Sequence, residues 1–342
     1  MIEVNKQGEV WVFAEQEAAA LSEVPLELLS KARELAGQLG VQTAAALLGG
    51  DCRALADELI AHGADKVYLA SDPRLADYQT NPYAKVLGEM VATHRPQIVI
   101  YGATVIGRDL APRVASSMRC GLTADCTDLQ IGDHEDKIAK KTYRNLLYQV
   151  RPAFGGNIIA TIVNPQRWPQ MATVREGVMP LGEPDPKRSG EVIPVEVHLE
   201  PGDLVLRIVE RHLEAKSVNL KAARTIVAGG AGVGSKDNFR PLFELAGVLG
   251  GAVAGSRAAV DAGYIGKDHQ VGQTGVTVRP VLYIAAGISG AVQHLAGMDQ
   301  SGKILAINSD PDAPIFQAAH YAVVGDLNQV IPMITKAVKA RV

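Results

Sequence analysis

Short apolar runs alternate with helix-patterned segments twice along this chain, and that alternation constrains the fold more than any other feature. Strand, helix, strand is the crossover unit of a parallel sheet. Val10-Trp11-Val12-Phe13-Ala14 reads as a first strand. Across residues 25–39, Leu28, Leu29, Ala32, Leu35, Ala36 and Leu39 fall at the spacing of one helical face. Residues 43–48 predict the next strand, and residues 53–62 a helix stopped by Gly63. Val67-Tyr68-Leu69, a helix over 82–94, strand Ile98-Val99-Ile100-Tyr101 and a helix over 108–118 continue the order. From Gly121 the pattern becomes strand-rich, over 122–129, 137–144 and 157–163, a run that can cover an α/β sheet with antiparallel strands.

Pro180, Pro184, Pro186, Pro194 and Pro201 then crowd one charged stretch, residues 179–201, which reads as a linker. After it the alternation restarts. Strands are expected at 225–228, 252–254, 281–285, 304–308 and 322–324, with helices at 238–249, 290–296, 314–320 and 328–341. A chain of 342 residues is long enough for two domains. The expected division is 1–200 and 201–342, the second a doubly wound parallel sheet.

Composition narrows the function classes. Hydrophobic residues make up 47% and charged residues 21%, enough to bury two cores. A net charge of −3 supplies no basic field for nucleic acid or an anionic membrane surface. No apolar run approaches the ~20 residues of a membrane span. The start Met1-Ile2-Glu3-Val4-Asn5-Lys6 has neither a signal-peptide core nor a transit-peptide bias, so the expected location is cytoplasmic. Cys52, Cys120 and Cys126 form no CxxC pair, and buried thiols are expected rather than a disulfide framework or a metal site.

In a parallel sheet, ligands sit at the carboxyl ends of the strands. Polar and glycine residues gather there in the second half. Gly229-Gly230-Ala231-Gly232-Val233-Gly234 follows a strand and precedes a helix, as a dinucleotide fingerprint does. It departs from GxGxxG, because Ser235 stands where the last glycine would fall, and taken alone it reads more readily as a plain turn than as a nucleotide site. Ser256-Arg257 ends another strand and brings a permanent cation. Gln270-Val271-Gly272-Gln273-Thr274-Gly275 is a polar, glycine-spaced loop suited to the edge of a heterocycle. Ser289-Gly290-Ala291 opens a helix carrying Gln293 and His294, with free N–H groups for an anion. Asn308 and Asp326 end the next strands. Each has a bland reading: Arg257 as a surface ion pair, His294 as a locally bonded helix residue, Asp326 as a helix N-cap. Five successive strand ends with polar groups on one edge favour a ligand.

These motifs, with Ser256 to Gly263 (SRAAVDAG), Gln270 to Gly275, Tyr283 to Met298 (YIAAGISGAVQHLAGM) and Ala306 to Phe316, resemble the alpha subunit of electron-transfer flavoprotein. The likeness is dense over 225–335 and looser before, where Tyr101-Gly102-Ala103 and residues 107–114 also fit. It implies an adenine-nucleotide-hydrolase-like α/β domain, packed on a beta subunit, followed by an FAD-binding domain. The resemblance implies that Arg257 lies against the flavin ring, that Thr274 bonds near N5, and that His294 donates toward the C2 carbonyl. Gln270, Val271, Gly272, Gln273 and Gly275 would line the ring. Ser256, Ser289, Gly290, Ala291 and Gln293 would hold the ribityl and diphosphate, and Asn308, Asp326 and Leu327 the adenosine end. One departure stands out: the family carries Arg in a GGRG pattern where this chain has Ala231, which predicts weaker FAD retention.

No paired carboxylates, nucleophile–base pair or metal cluster accompanies these motifs, which suits an electron carrier rather than a stand-alone enzyme. By the resemblance the chain exchanges electrons with an acyl-CoA dehydrogenase or a similar flavoenzyme, its FAD domain swivelling on the linker. Trp11 to Gln16 (WVFAEQ) and Gly121 to Cys126 (GLTADC) resemble the NADH-linked bifurcating type, whose beta subunit carries a second FAD and which reduces ferredoxin or flavodoxin. The conventional type instead carries AMP in the beta subunit. Two rivals come from other classes: a nicotinamide-dependent dehydrogenase, and a nucleotide sensor binding ATP or AMP within residues 1–180.

Overall fold

A computed structural model of the chain describes residues 5–17, 20–137, 140–153, 158–210, 218–221 and 223–341. The chain divides into two compact units, Met1–Glu210 and Arg211–Val342.

The first unit opens with β1 (Val10–Ala14), followed by a two-residue hairpin, β2 (Gln16–Glu17) and β3 (Ala20–Leu21). Then come α1 (Glu23–Leu39), β4 (Thr43–Gly49), α2 (Leu55–Ala61), β5 (Lys66–Ser71), α3 (Thr80–His94), β6 (Ile98–Gly102), α4 (Val105–Met118) and β7 (Leu122–Cys126). Helix α1 buries the predicted stripe of Leu28, Leu29, Ala32, Leu35 and Ala36. It ends where Gly40, at φ 68°, turns left-handed and returns its N–H to the last carbonyls. After β7 the chain forms β8 (Asp128–Asp136), β9 (Lys141–Ala153), β10 (Ile158–Ile162), β11 (Gln170–Val174) and β12 (Glu191–Pro194). Seven strands make one sheet in the order β12-β5-β4-β1-β6-β11-β7, every pair parallel. The antiparallel strands form a separate sheet, β10-β9-β8. Connections from the central strand diverge between β1 and β6.

Three expectations need correcting. Residues 122–129 are two strands: Asp125, at φ 61° with its N–H turned to the Thr173 hydroxyl, bulges β7, and the chain leaves the parallel sheet only after Cys126, which still pairs with Val174. The strand expected at 137–144 runs instead over Lys141–Ala153. Ile138 and Ala139, with Met1 to Val4 and Asn157, lie outside the described residues. The proline-rich stretch 179–201 is not a free linker: its residues 191–194 are β12, an edge strand paired with β5 from Glu191↔Lys66 to Pro194↔Leu69. Proline is tolerated at a sheet edge because no ladder N–H is needed on its outer side. Val195, Val197 and Leu199 then pack against the core of the first unit.

Cys52 and Cys126 are buried and Cys120 is partly so, all unbridged. Burial pushes the Cys120 thiol up to about 11 and the Cys126 thiol to about 12, so both stay protonated at neutral pH.

The second unit contains β13 (Thr225–Gly229), α5 (Arg240–Val248), β14 (Ala252–Gly255), α6 (Arg257–Asp261), β15 (Leu282–Ala286), α7 (Val292–Leu295), β16 (Lys303–Asn308), α8 (Ile315–Ala318), β17 (Tyr321–Val324) and α9 (Leu327–Lys339). Its sheet runs β14-β13-β15-β16-β17, all parallel. Side chains alternate between faces as the pleat demands. Ile226, Ala228, Tyr283, Ala285 and Ala306 join one core with Val271, Met298 and Ile315. Val227, Ile284 and Ile307 join another with Leu242, Leu245 and Ile331 from α5 and α9. The sheet is thus covered on both faces, as a doubly wound fold is. Among the described residues no helix is long and apolar enough to cross a membrane.

Candidate functional site

Because every strand of the second sheet is parallel, all five carboxyl ends share one edge. Gly229 pairs with Gly255 and with Ala286, and Asn308 with Val324. In this strand order the connections diverge at β13 and β15, where an open α/β sheet forms its ligand crevice.

The two loops at that switch point meet through glycine. Gly230 donates to the Ala286 carbonyl and Gly232 to that of Gly287, at 2.9 and 3.0 Å. A Cβ on Gly230 would fall 2.1 Å from the Gly287 oxygen, so only glycine permits this approach. Ala231 between them is exposed, in a single 3₁₀ turn over Ala231–Val233. The glycine cluster therefore serves loop-to-loop packing, and its one side chain on the edge is a methyl.

The loop 270–276 and the segment 289–297 are the most tightly joined part of the edge. Val271 donates to the Gly255 carbonyl, which fixes the loop beside β14. Gln273 N–H donates to the Gln293 carbonyl at 2.7 Å, and Val278 N–H to that of Gly297 at 2.9 Å. Gly272 has φ 142°, and a Cβ there would lie 2.9 Å from the Gln293 oxygen. The Gln270 side chain is buried and donates to the Thr274 hydroxyl at 3.0 Å. Val271 turns its side chain into the core, so only its main chain faces the loop. Gln273, Thr274, Gly275, Ser289, Ala291 and Gln293 are exposed around this junction.

His294 sits at the centre of the junction, 6% exposed. Its Nδ1 is 3.1 Å from the Val271 carbonyl and its Nε2 3.0 Å from the Tyr283 hydroxyl. Burial pushes its pKa down to about 4, against a smaller upward pull from the Val271 carbonyl, so the ring is neutral at pH 7. Both ring nitrogens have partners within the chain. Tyr283 was not among the residues singled out; its only signal in the sequence is one hydroxyl in the apolar strand Leu282–Ala286.

The remaining candidates lie farther out. Ser256 caps α6, accepting from the Ala259 N–H at 3.4 Å, and its own N–H reaches the Gly229 carbonyl. Arg257 is exposed and pairs with Asp261 at 3.3 Å, a contact that holds the guanidinium only loosely. Ser289 accepts from Ile315 N–H, and a Cβ on Gly290 would strike that nitrogen at 2.2 Å. Helix α7 is a single turn, so its dipole is weaker than the predicted longer helix implied. Asn308 spends its amide on the Ile288 carbonyl and the Asp310 N–H, tying β16 to the loop after β15. Asp326 is the N-cap of α9, accepting from Asn328 N–H at 2.9 Å. Leu327 buries its side chain in the core, leaving its main chain alone at the edge.

A flavin dinucleotide fits these residues. Glycines at the strand ends allow close backbone approach, the 270–276 and 289–297 loops offer neutral donors and acceptors to a ring edge, and Arg257 brings a mobile cation.

Comparison with known proteins supports this ligand. Residues 10–200 match the electron transfer flavoprotein domain, and residues 219–299 the electron transfer flavoprotein FAD-binding domain. The chain is 50% identical over 337 residues to an electron transfer flavoprotein subunit alpha of Thermoanaerobacterium thermosaccharolyticum, covering 98% of this chain and 99% of that one. It is 49% identical over 335 residues to the same subunit of Clostridium acetobutylicum, covering 97% of each chain. An acryloyl-CoA reductase electron transfer subunit beta of Anaerotignum propionicum is 41% identical over 357 residues, covering 98% of this chain and 97% of its own.

Proposed function

The chain belongs to the electron transfer flavoprotein alpha-subunit family, and from that premise we propose that it holds FAD along the carboxyl edge of its second sheet as half of a heterodimeric electron carrier. Its cofactor is FAD and its role is electron transfer. The observation that carries the site assignment is the junction of the 270–276 loop with the 289–297 segment around His294.

FAD supplies the redox chemistry when bound; the chain's residues bind it, orient it and set the charge around it. In this reading Gln273 and Thr274 meet the ring edge, Thr274 with its hydroxyl oriented by Gln270. Arg257 leaves Asp261 and lies against the ring, where a guanidinium favours negative charge. Gln293, Ser289 and Ser256 take the ribityl and diphosphate region. Asn308, Asp326 and the main chain of Leu327 take the adenosine end, Asp326 keeping its N-cap bond while it does so.

The partner in the heterodimer is a beta subunit, and electrons pass between it and an acyl-CoA dehydrogenase-type flavoenzyme. The likeness to an acryloyl-CoA reductase electron transfer subunit favours a partner acting on an acyl-CoA. We favour the NADH-linked bifurcating type, with ferredoxin or flavodoxin as the low-potential acceptor; the stretches Trp11 to Gln16 and Gly121 to Cys126 support it. Co-purification with the beta subunit, followed by nucleotide analysis, tests both levels. Two FAD per heterodimer and NADH-dependent ferredoxin reduction are expected. One FAD plus AMP replaces bifurcation with conventional carriage, and no flavin with this chain rejects the site.

A further inference from the structure

Gln149 on β9 and Gln170 at the start of β11 are both wholly buried in the first unit. Strands alternate their side chains, so Gln149 shares a face of β9 with Leu147, and Gln170 a face of β11 with Ala172. Leu147 and Ala172 belong to the same core, so both glutamines enter it. A direct bond fixes how they meet: Gln170 Oε1 accepts from the Leu147 N–H at 2.9 Å. The Gln170 amide is thereby held against β9 two residues from Gln149, about 7 Å along the strand.

The rest of the two amides is unpaired. Gln170 Nε2 and both Nε2 and Oε1 of Gln149 have no hydrogen-bond partner among the described residues. Buried polar groups are almost always paired, because each orphan bears its full desolvation penalty. Two neighbouring amides offer what water binds: N–H donors from both and a carbonyl acceptor from one. Polar-walled space in a protein interior holds water, whereas an apolar void stays dry. We propose that Gln149 and Gln170 form an internal hydration site, in which a water accepts from Gln170 Nε2 and donates to Gln149 Oε1.

The water completes what Gln170 begins. Pairing of β10 with β9 stops at Ile162↔Gln149, so Leu147 lies past the end of that ladder and gives its N–H to Gln170 instead. By holding the other end of the Gln170 amide, the water steadies that bond and ties the antiparallel sheet to β11 of the parallel one. This site is independent of the ligand held by the second unit.

The test uses the full chain with its FAD and beta subunit. In a high-resolution crystal structure, wild type should show ordered water within hydrogen-bond reach of both amides. Gln149→Met keeps the length of the side chain, deletes both polar atoms and should remove that water. Hydrogen exchange at the Leu147 amide gives the solution readout. Q149M should exchange roughly three- to tenfold faster, the scale of one lost hydrogen bond. A dry, orphaned Gln149 predicts the reverse, because methionine would relieve it and slow the exchange. Slower or unchanged exchange therefore overturns the proposal, as does density showing the two amides bonded directly to each other or to the main chain. Should Q149M fail to fold, the wild-type density decides alone: water between the amides sustains the proposal, and its absence there overturns it.

Discussion

A Cβ placed on Gly297 would lie 2.5 Å from the Cα of Gly272. The backbones of the 270–276 loop and the α7 segment touch there without intervening side chains, and the Gln273–Gln293 and Val278–Gly297 bonds depend on that closeness. Neither segment can retreat cheaply, because Val271 and Met298 are packed in the same core. Gly297→Ala should therefore push the two loops apart, at a cost of about 1–3 kcal/mol typical of overpacking. FAD affinity should fall by about tenfold or more, since 1.4 kcal/mol is a factor of ten. Flavin fluorescence titration alongside urea unfolding measures both. A folded G297A protein with wild-type affinity would remove these loops from the site.

The neutral, buried His294 makes stability depend on pH in a definite window. Its folded pKa of about 4 lies below the ordinary value of 6.5, so between those values the unfolded chain binds more protons. Stability should thus be lost as pH falls from about 6.5 toward 4, by up to about 3 kcal/mol from this group. His94 in the first unit is pushed down by burial too, so the difference between wild type and H294Q carries the prediction. Chemical denaturation of the FAD-free protein at pH 7 and pH 4.5 gives that difference. An equal loss in both proteins would mean His294 is solvated or already charged.

Much of this edge was legible because periodicity and glycine punctuation are local signals. The alternation of apolar runs placed every strand of the second sheet within a residue or two, as Thr225–Gly229 and Lys303–Asn308 illustrate. The polar loops at their ends followed. What sequence could not supply was pairing between distant residues. Tyr283 reads as an ordinary apolar-strand residue until the fold brings it against His294, and Gly297 as a helix stop until it meets Gly272. The first unit shows the same limit. Its proline-rich stretch looked like a linker because proline disfavours sheet interiors, yet an edge position beside β5 accepts it. Asp125 gave no hint of a bulge in β7, since its left-handed backbone is held by Arg175 and Thr173, both some fifty residues later.

Ala231 is exposed at the switch point, with no packing to oppose a longer side chain. A guanidinium there would reach the anionic diphosphate expected along the same edge. Ala231→Arg should tighten FAD binding by about tenfold at low ionic strength, the order of one charge-assisted hydrogen bond. The gain should shrink with added salt, because the pair would be solvent-exposed. Equal dissociation constants for both proteins at low salt would sink the idea that Ala231 weakens retention.

The first unit shares its layout with nucleotide-binding sheets, but its own switch point is closed. Glu15 follows β1, and its carboxylate accepts from the Thr104 hydroxyl at 2.5 Å; that hydroxyl in turn accepts from Gly107 N–H. A carboxylate therefore occupies the start of α4, where a phosphate would have to sit, and would repel one. Gly107 holds α4 close against the end of β6, where a Cβ would fall 1.9 Å from the Gly102 oxygen. Titrating the FAD-loaded chain with ATP or AMP should give no saturable heat. Micromolar binding that vanishes on Thr104→Val would reverse this, making the first unit a nucleotide sensor and leaving Glu15 without the plugging role assigned to it.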